Sequence, residues 1–280
     1  MKKDYGVLYI FLSAVFFSMS GLLIKMVPWS SLSINGARSG LAAIVMWVYL
    51  KKTNHKLVMN KVVWIGALIT LAMNLTFVYA TKMTSAANAI VLQYTSPIFI
   101  ILFMWMIWKQ RPRRLDVITC VFVLVGVVCF FIDEISPEGM AGNLLAIFSG
   151  AMFALTYMLK TWDGADFASS VFFSQIAALV MGIPFYAQET AFAPINLICI
   201  FILGIFQLGL GFVLLAKGME TVHPVTAVLV SSIEPILNPL LVAIVLKEMI
   251  GPISLVGAAV VLVTLVIYNV IDAKKQVTTS

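Results

Sequence analysis

Residues 212–248 read FVLLAKGMETVHPVTAVLVSSIEPILNPLLVAIVLKE, and residues 77–110 read FVYATKMTSAANAIVLQYTSPIFIILFMWMIWKQ. Set one under the other, Phe77 and Val78 meet Phe212 and Val213, and Lys82 meets Lys217. After a three-residue insertion, Pro97 meets Pro235, Lys109 meets Lys247 and Gln110 meets Glu248. The stretches that open the two halves align too: GVLYIFLSAVFFS (6–18) with GNLLAIFSGAMFA (142–154), sharing Gly6/Gly142, Ser13/Ser149 and Phe17/Phe153. The chain is one unit written twice.

Composition says what kind of unit. Of 280 residues, 62% are hydrophobic and 11% charged, and the mean hydropathy is +1.05. Soluble domains carry about 25% charged residues, and runs of about 20 apolar residues read as bilayer-spanning helices. The reading is an all-α membrane protein with ten transmembrane helices, at about 7–27, 32–50, 62–80, 85–108, 115–132, 142–161, 167–187, 195–216, 222–247 and 251–271. The opening MKKDYG and its apolar run lack a small-x-small cleavage site, so they read as a retained first helix. The repeats are expected at 1–135 and 139–275.

Basic residues set the expected orientation. With the N-terminus in the cytoplasm, that side carries Lys2, Lys3, Lys51, Lys52, Lys56, Lys61, Lys109, Arg111, Arg113, Arg114, Lys160, Lys217, Lys274 and Lys275. The other side keeps Lys25, Lys82 and Lys247, with the acidic loop DEISPE (133–138). This asymmetry is the positive-inside pattern and puts both termini in the cytoplasm. It also accounts for the net charge of +6 without nucleic acid. Each half has an odd number of helices, so the halves insert with opposite topology, as inverted repeats, an architecture that places substrate sites near the midplane at interrupted helices.

The repeat, the xxP in the fourth and ninth helices, and the IEP…LKE element from Glu234-Pro235 to Lys247-Glu248 resemble the drug/metabolite transporter superfamily, in its ten-helix EamA-type branch. Arg38, in INGARSGLAA, is similar to an arginine common in that family's second helix. Where the family usually has a Glu after the fourth helix, this chain has Gln110, which leaves Glu248 alone for any role of that acid. The resemblance implies a secondary carrier for small organic metabolites, most readily an exporter of amino acids or related compounds.

Within the spans, polar residues nominate a site. Pro235 lacks an N–H and clashes with the carbonyl of Ser231, and Pro239 does the same to Pro235. Freed carbonyls at membrane depth belong in protein-lined or wet surroundings. Ser231, Glu234 and Asn238 stand at i, i+3, i+7 and form one helical stripe. Gln93 and Ser96 are the repeat counterparts of Ser231 and Glu234. The two stripes are expected to line a central cavity, with Asn74, Gln207, Tyr94 and Tyr157 as further substrate-contacting candidates. Glu234 is read either as a proton or substrate ligand or as a neutral acid that caps freed carbonyls. Arg38, inside Gly36-x-x-x-Gly40, reads as a scaffold lock paired with a carbonyl or carboxylate, next to a close helix packing. Trp29, Trp47, Trp64, Trp105, Trp108 and Trp162 read as interfacial anchors.

Cys120, Cys129 and Cys199 lie in spans without metal or disulfide spacing, and His55 and His223 lie at helix ends. No catalytic constellation, nucleotide loop or room for an ATP-hydrolysing domain is present, so no enzyme activity, cofactor or metal is expected. The expected partners are a small-molecule substrate and the lipid bilayer, with a homodimer left open. A membrane scaffold and a channel remain the competing classes; flux into liposomes and counterflow exchange discriminate them.

Overall fold

The computed structural model describes residues 5–109, 113–133, 137–222, 227, 230–231, 233–247 and 251–279. Gln110, Arg111, His223 and Glu248, the centre of the 133–138 loop, and Lys2 and Lys3 lie outside the described residues.

The described residues form helices and connecting turns, without strands. The first half comprises α1 (Gly6–Phe17), α2 (Ser20–Met26), α3 (Ser31–Lys52), α4 (Lys61–Met83), α5 (Ala86–Gln93), α6 (Ser96–Trp108) and α7 (Arg114–Asp133). The second comprises α8 (Pro137–Met158), α9 (Phe167–Tyr186), α10 (Pro194–Phe201), α11 (Gly211–Thr221), α12 (Glu234–Leu246) and α13 (Pro252–Thr279). A π-helical stretch, Ile202–Leu210, joins α10 to α11. Polar caps fix several starts: the Asn60 side chain accepts from the Val63 amide at 2.8 Å, and Asp166 accepts from Ser169 at 2.7 Å.

Among the described residues, six stretches are long and apolar enough to cross a bilayer: Gly6–Met26, Lys61–Met83, Ala86–Ile107, Pro137–Thr161, Phe167–Tyr186 and Pro194–Thr221. Val117–Cys129, Glu234–Leu246 and Pro252–Tyr268 are apolar but shorter. α3 has the length and not the composition, because Ser31, Ser33, Asn35, Arg38 and Ser39 are all buried against protein. An apolar belt of exposed side chains, including Val121, Phe122, Val125, Val256, Val263 and Ile267, covers α7 and α13. Only a lipid environment makes such a belt the outer surface of a stable fold.

The packing repeats as the sequence does. α3 lies against α9 and α7 against α13, counterparts in the two halves, and α5 of the fourth span lies against α12 of the ninth. α4 lies against α8, and the exchanged pairing, α1 against α11, is present as well. The Gly36-x-x-x-Gly40 seam is a packing device: a Cβ on Gly36 would stand 2.7 Å from the Gly182 Cα of α9. α6 and α12 even end alike, Lys109 and Lys247 taking φ of 55° and 54°.

Three expected spans are interrupted. The fourth breaks at Tyr94-Thr95 and the ninth at Ile233, each followed by a Pro in the first turn of the next helix. Proline suits that position because its missing N–H has no helical partner there. The first breaks at Ser18-Met19, where no Pro or Gly stands.

Candidate functional site

The interruptions of the fourth and ninth spans meet at the centre of the molecule. Tyr94, at the first break, reaches across to the second: its hydroxyl lies 2.9 Å from the Ser231 carbonyl and 2.8 Å from Glu234 Oε2. The Ser231 carbonyl is the one that Pro235 deprives of a helical donor, so Tyr94 caps it and Glu234 does not. Tyr157 adds a contact of 3.3 Å to Ser231 Oγ. All four residues are buried.

Tyr94 has one hydroxyl proton and two acceptors. If Glu234 is ionised, the proton goes to one acceptor and the other is left buried and unpaired, at about 1–3 kcal/mol. If Glu234 is protonated, it donates to Tyr94 Oη and Tyr94 donates to Ser231, and every group is served. Tyr94 thus links the carboxyl of Glu234 to the capping of the helix break.

A small cavity of about 40 Å³ borders this network. Arg38, Asn74, Gln93, Gln207, Thr156, Tyr157, Ser20 and Glu234 supply its polar lining. Phe17, Phe77, Phe153, Phe212, Met73, Leu208 and Leu215 supply the apolar lining. Arg38 comes from α3 and is 1% exposed. It donates to Gln207 Oε1 (3.4 Å), Asn35 Oδ1 (3.1 Å), the Asn74 carbonyl (3.3 Å) and Asn74 Oδ1 (3.5 Å). Its partners are neutral oxygens, not a carboxylate. Gln207 reaches it from the π-helical stretch, a widened turn of the kind frequent at functional sites. Gln93 Nε2 donates to Ser149 Oγ at 2.7 Å, which itself donates to the Met73 carbonyl at 2.9 Å.

Of the nominated residues, Glu234, Gln93, Asn74, Tyr157, Gln207 and Arg38 line the cavity. Tyr94 and Ser231 stand behind Glu234. Asn238, one turn beyond Glu234 on α12, is not itself on the wall but stands behind Ser20, which is: its Nδ2 donates to Ser20 Oγ at 3.2 Å, and its Oδ1 occupies the space a side chain on Gly21 would need. Asn35, Phe17, Phe153, Phe212 and Thr156 were not nominated; Phe17 and Phe153 were visible only as a repeat-matched pair.

Both ends of the bundle are closed over this cavity. At one end, Asn60 Nδ2 donates to the Gly164 carbonyl at 2.7 Å, the Val58 amide to Ser169 Oγ at 3.0 Å, and His55 Nε2 lies 3.1 Å from Asp166 Oδ1. A vestibule of about 220 Å³ opens there, lined by Tyr49, His55, Lys160, Asp166, Glu220 and Phe167 among others. The rings of Phe167, Phe212 and Phe17 partition it from the cavity, with centroids 6.4 and 5.3 Å apart in sequence.

At the other end, the Ser30 amide donates to Glu189 Oε1 at 2.9 Å, Trp29 Nε1 to the Ala191 carbonyl at 2.9 Å, and Lys82 Nζ to the Val27 carbonyl. Desolvation pushes the Glu189 carboxyl upward, but bonds from Ser33 and Ser30 and the charge of Lys82 outweigh it and hold it below the usual carboxylate range. Trp29, expected as a lipid-interface anchor, is buried in this clamp instead. Trp47, Trp64 and Trp105 are about half exposed, as interfacial anchors are. A larger groove of about 730 Å³ lies between α3 and α9, but its walls, Ile44, Trp47 and Ile176 among them, are exposed and apolar, as suits a surface facing acyl chains.

Models of the EamA-like transporter family match residues 4–132 and 140–270. The chain belongs to that family. It is thus a multi-pass membrane transporter containing two EamA units. It is 26% identical to an uncharacterized transporter of Clostridium kluyveri, over 94% of this chain and 92% of the relative. It is 26% identical to the uncharacterized transporter YwfM of Bacillus subtilis, over 99% and 97%. Human solute carrier family 35 member G1 is 24% identical over 77% of this chain and 65% of its own length. A solved crystal structure at 17% identity matches with a TM-score of 0.70, over 96% of this chain and 98% of that one, a likeness of fold.

Proposed function

We propose that this EamA-family transporter is a proton-coupled secondary carrier, working as an exporter of small organic metabolites such as amino acids across the plasma membrane. In this reading it has ten transmembrane helices in two inverted five-helix repeats, 1–135 and 139–275, with both termini cytoplasmic. The exchanged packing of the halves supports the inversion, and the distribution of Lys and Arg supports the orientation. The vestibule of His55, Lys160 and Asp166 is then the cytoplasmic mouth, and the clamp at Glu189 and Trp29 closes the outside.

The observation that carries the reading is the small cavity at the meeting of two broken helices, with Glu234 and Arg38 on its wall. At about 40 Å³ it holds water and not a metabolite, for which pockets run to about 300–1,000 Å³. The state is occluded, and loading requires the Phe167–Phe212–Phe17 partition to part. A closed cavity favours neutral Glu234 through the Tyr94–Ser231 arrangement, and a wetted one favours its ionisation. Protonation is thereby coupled to access. The second reading, import or uniport of a cationic or zwitterionic metabolite, uses the same cavity with the direction reversed.

Purified protein in liposomes, offered a panel of labelled amino acids, organic cations and organic acids, tests the carrier reading. Saturable flux with counterflow exchange is expected. Conduction without counterflow would make it a channel, and no flux of any solute would overturn transport by this cavity.

A further inference from the structure

We infer that Arg38 is the residue that holds the substrate, and that the group it holds is a carboxylate. The inference rests on the transporter reading and adds a chemistry to its site.

Arg38 is a guanidinium buried at the centre of a membrane bundle and offered only neutral acceptors. Its Nε–H has no partner among the described residues. Its Nη1 makes one bond, a long one at 3.4 Å. A scaffold cation at this depth is normally paired or fully hydrogen-bonded, because an uncompensated buried charge is among the most destabilising features a fold can carry. Arg38 is neither. Glu234, the acid on the cavity wall, shares a hydrogen bond with Tyr94 and makes no ion pair with Arg38. The cavity therefore has two separate polar poles, Arg38 with Asn35, Asn74 and Gln207 on one side and Glu234 with Tyr94 on the other.

Guanidinium geometry matches a planar carboxylate with two parallel N–H donors. One guanidinium balances one charge, so a phosphate dianion would bury a second, unpaired one. The Glu234 pole then suits an ammonium group. As the ammonium arrives, the carboxyl proton of Glu234 leaves to water, and the Tyr94 hydroxyl turns to the new carboxylate and releases the Ser231 carbonyl. Between the poles, Phe17, Phe77, Phe153, Phe212 and Leu215 favour an apolar body. The ligand class is a small apolar zwitterion with its carboxylate on Arg38.

The test is exchange of labelled L-leucine and of L-leucinamide, which lacks the carboxylate, in proteoliposomes of wild type, Arg38→Gln and Arg38→Lys. Wild type is expected to prefer L-leucine by at least about tenfold, since a site built to bond a group rejects the analogue without it. Arg38→Gln should bring the two rates together, and Arg38→Lys should keep part of the preference. If both rates fall in Arg38→Gln with their ratio kept, Arg38 is a brace and the inference fails. Should a variant not fold, the wild-type comparison still decides: leucinamide exchanged as fast as leucine overturns carboxylate recognition while leaving transport intact. If wild type moves neither compound but moves another solute of the panel, the inference fails and the carrier reading stands; if no solute moves, both fail.

Discussion

The two broken helices of this transporter are the same device with different contents. The fourth span breaks before Ser96-Pro97 and the ninth before Glu234-Pro235, positions that the repeat superimposes. Both breaks are packed inside the bundle. Ser96 is fully buried, and its hydroxyl has no hydrogen-bond partner. Glu234 is also buried, yet a tyrosine from the opposite break meets it. The difference separates architecture from chemistry. Proline makes the break in both halves, and a short hydroxyl is enough to fill the first. A carboxylate appears only where a donor and a polar cavity await it.

That contrast makes predictions in descending size. Placing a carboxylate at the unprepared break, Ser96→Glu, should destabilise the protein by about 2.5–3.5 kcal/mol, the insertion cost of a central charge. Unfolding in detergent, titrated with a denaturing surfactant, measures it. A Ser96→Glu variant as stable as wild type would mean that the two breaks offer equal environments.

Removing the bridge between the breaks comes next. Tyr94→Phe leaves the Ser231 carbonyl without its cap and Glu234 without its partner, at roughly 1–3 kcal/mol. The same unfolding assay reads it. Unchanged stability would show that water replaces the hydroxyl, and with it that the site is wet in the closed state.

The smallest effect lies away from the breaks, in the clamp at Glu189. Its carboxyl ionises below the usual range when folded, so its contribution is present above the unfolded value and is lost as pH falls through the depressed one. Thermal unfolding of wild type should therefore lose ground to Glu189→Gln as pH is lowered into the acid range, with a difference of a few degrees at most because the group is only partly buried and screened by solvent. Parallel pH profiles would remove Glu189 from the clamp.

What the sequence made legible follows the same division. The repeat and the helical class were readable because apolar runs and matched prolines are local signals. That Glu234, Asn74 and Gln207 line a common cavity was readable because polar side chains at membrane depth are costly and so are placed for a reason; Arg38, read as a scaffold lock, lies on the same wall. The position of Asn238 behind the wall was not, because it depends on Ser20, 218 positions away in the chain. The break at Ser18-Met19 carries no Pro or Gly to announce it, and the π-helical turn that presents Gln207 depends on how Gly204 and Gly209 settle against Leu41 and Val45 of α3. Trp29 was misjudged because a tryptophan at a helix end reads alike whether it faces lipid or a neighbouring loop. Tyr94 was nominated as a substrate contact, but its link to Ser231 spans 137 positions and only the folded chain reveals it.

The central claim is that the proton on Glu234 couples the helix break to access. Glu234→Gln tests it most directly, because glutamine keeps a donor for Tyr94 and cannot titrate. Solute flux in proteoliposomes would be measured across a range of internal and external pH, alongside the unfolding of the purified protein. The account predicts a folded variant whose residual flux no longer depends on pH. A variant that transports at the wild-type rate with the wild-type pH profile would contradict it and leave Glu234 a structural acid.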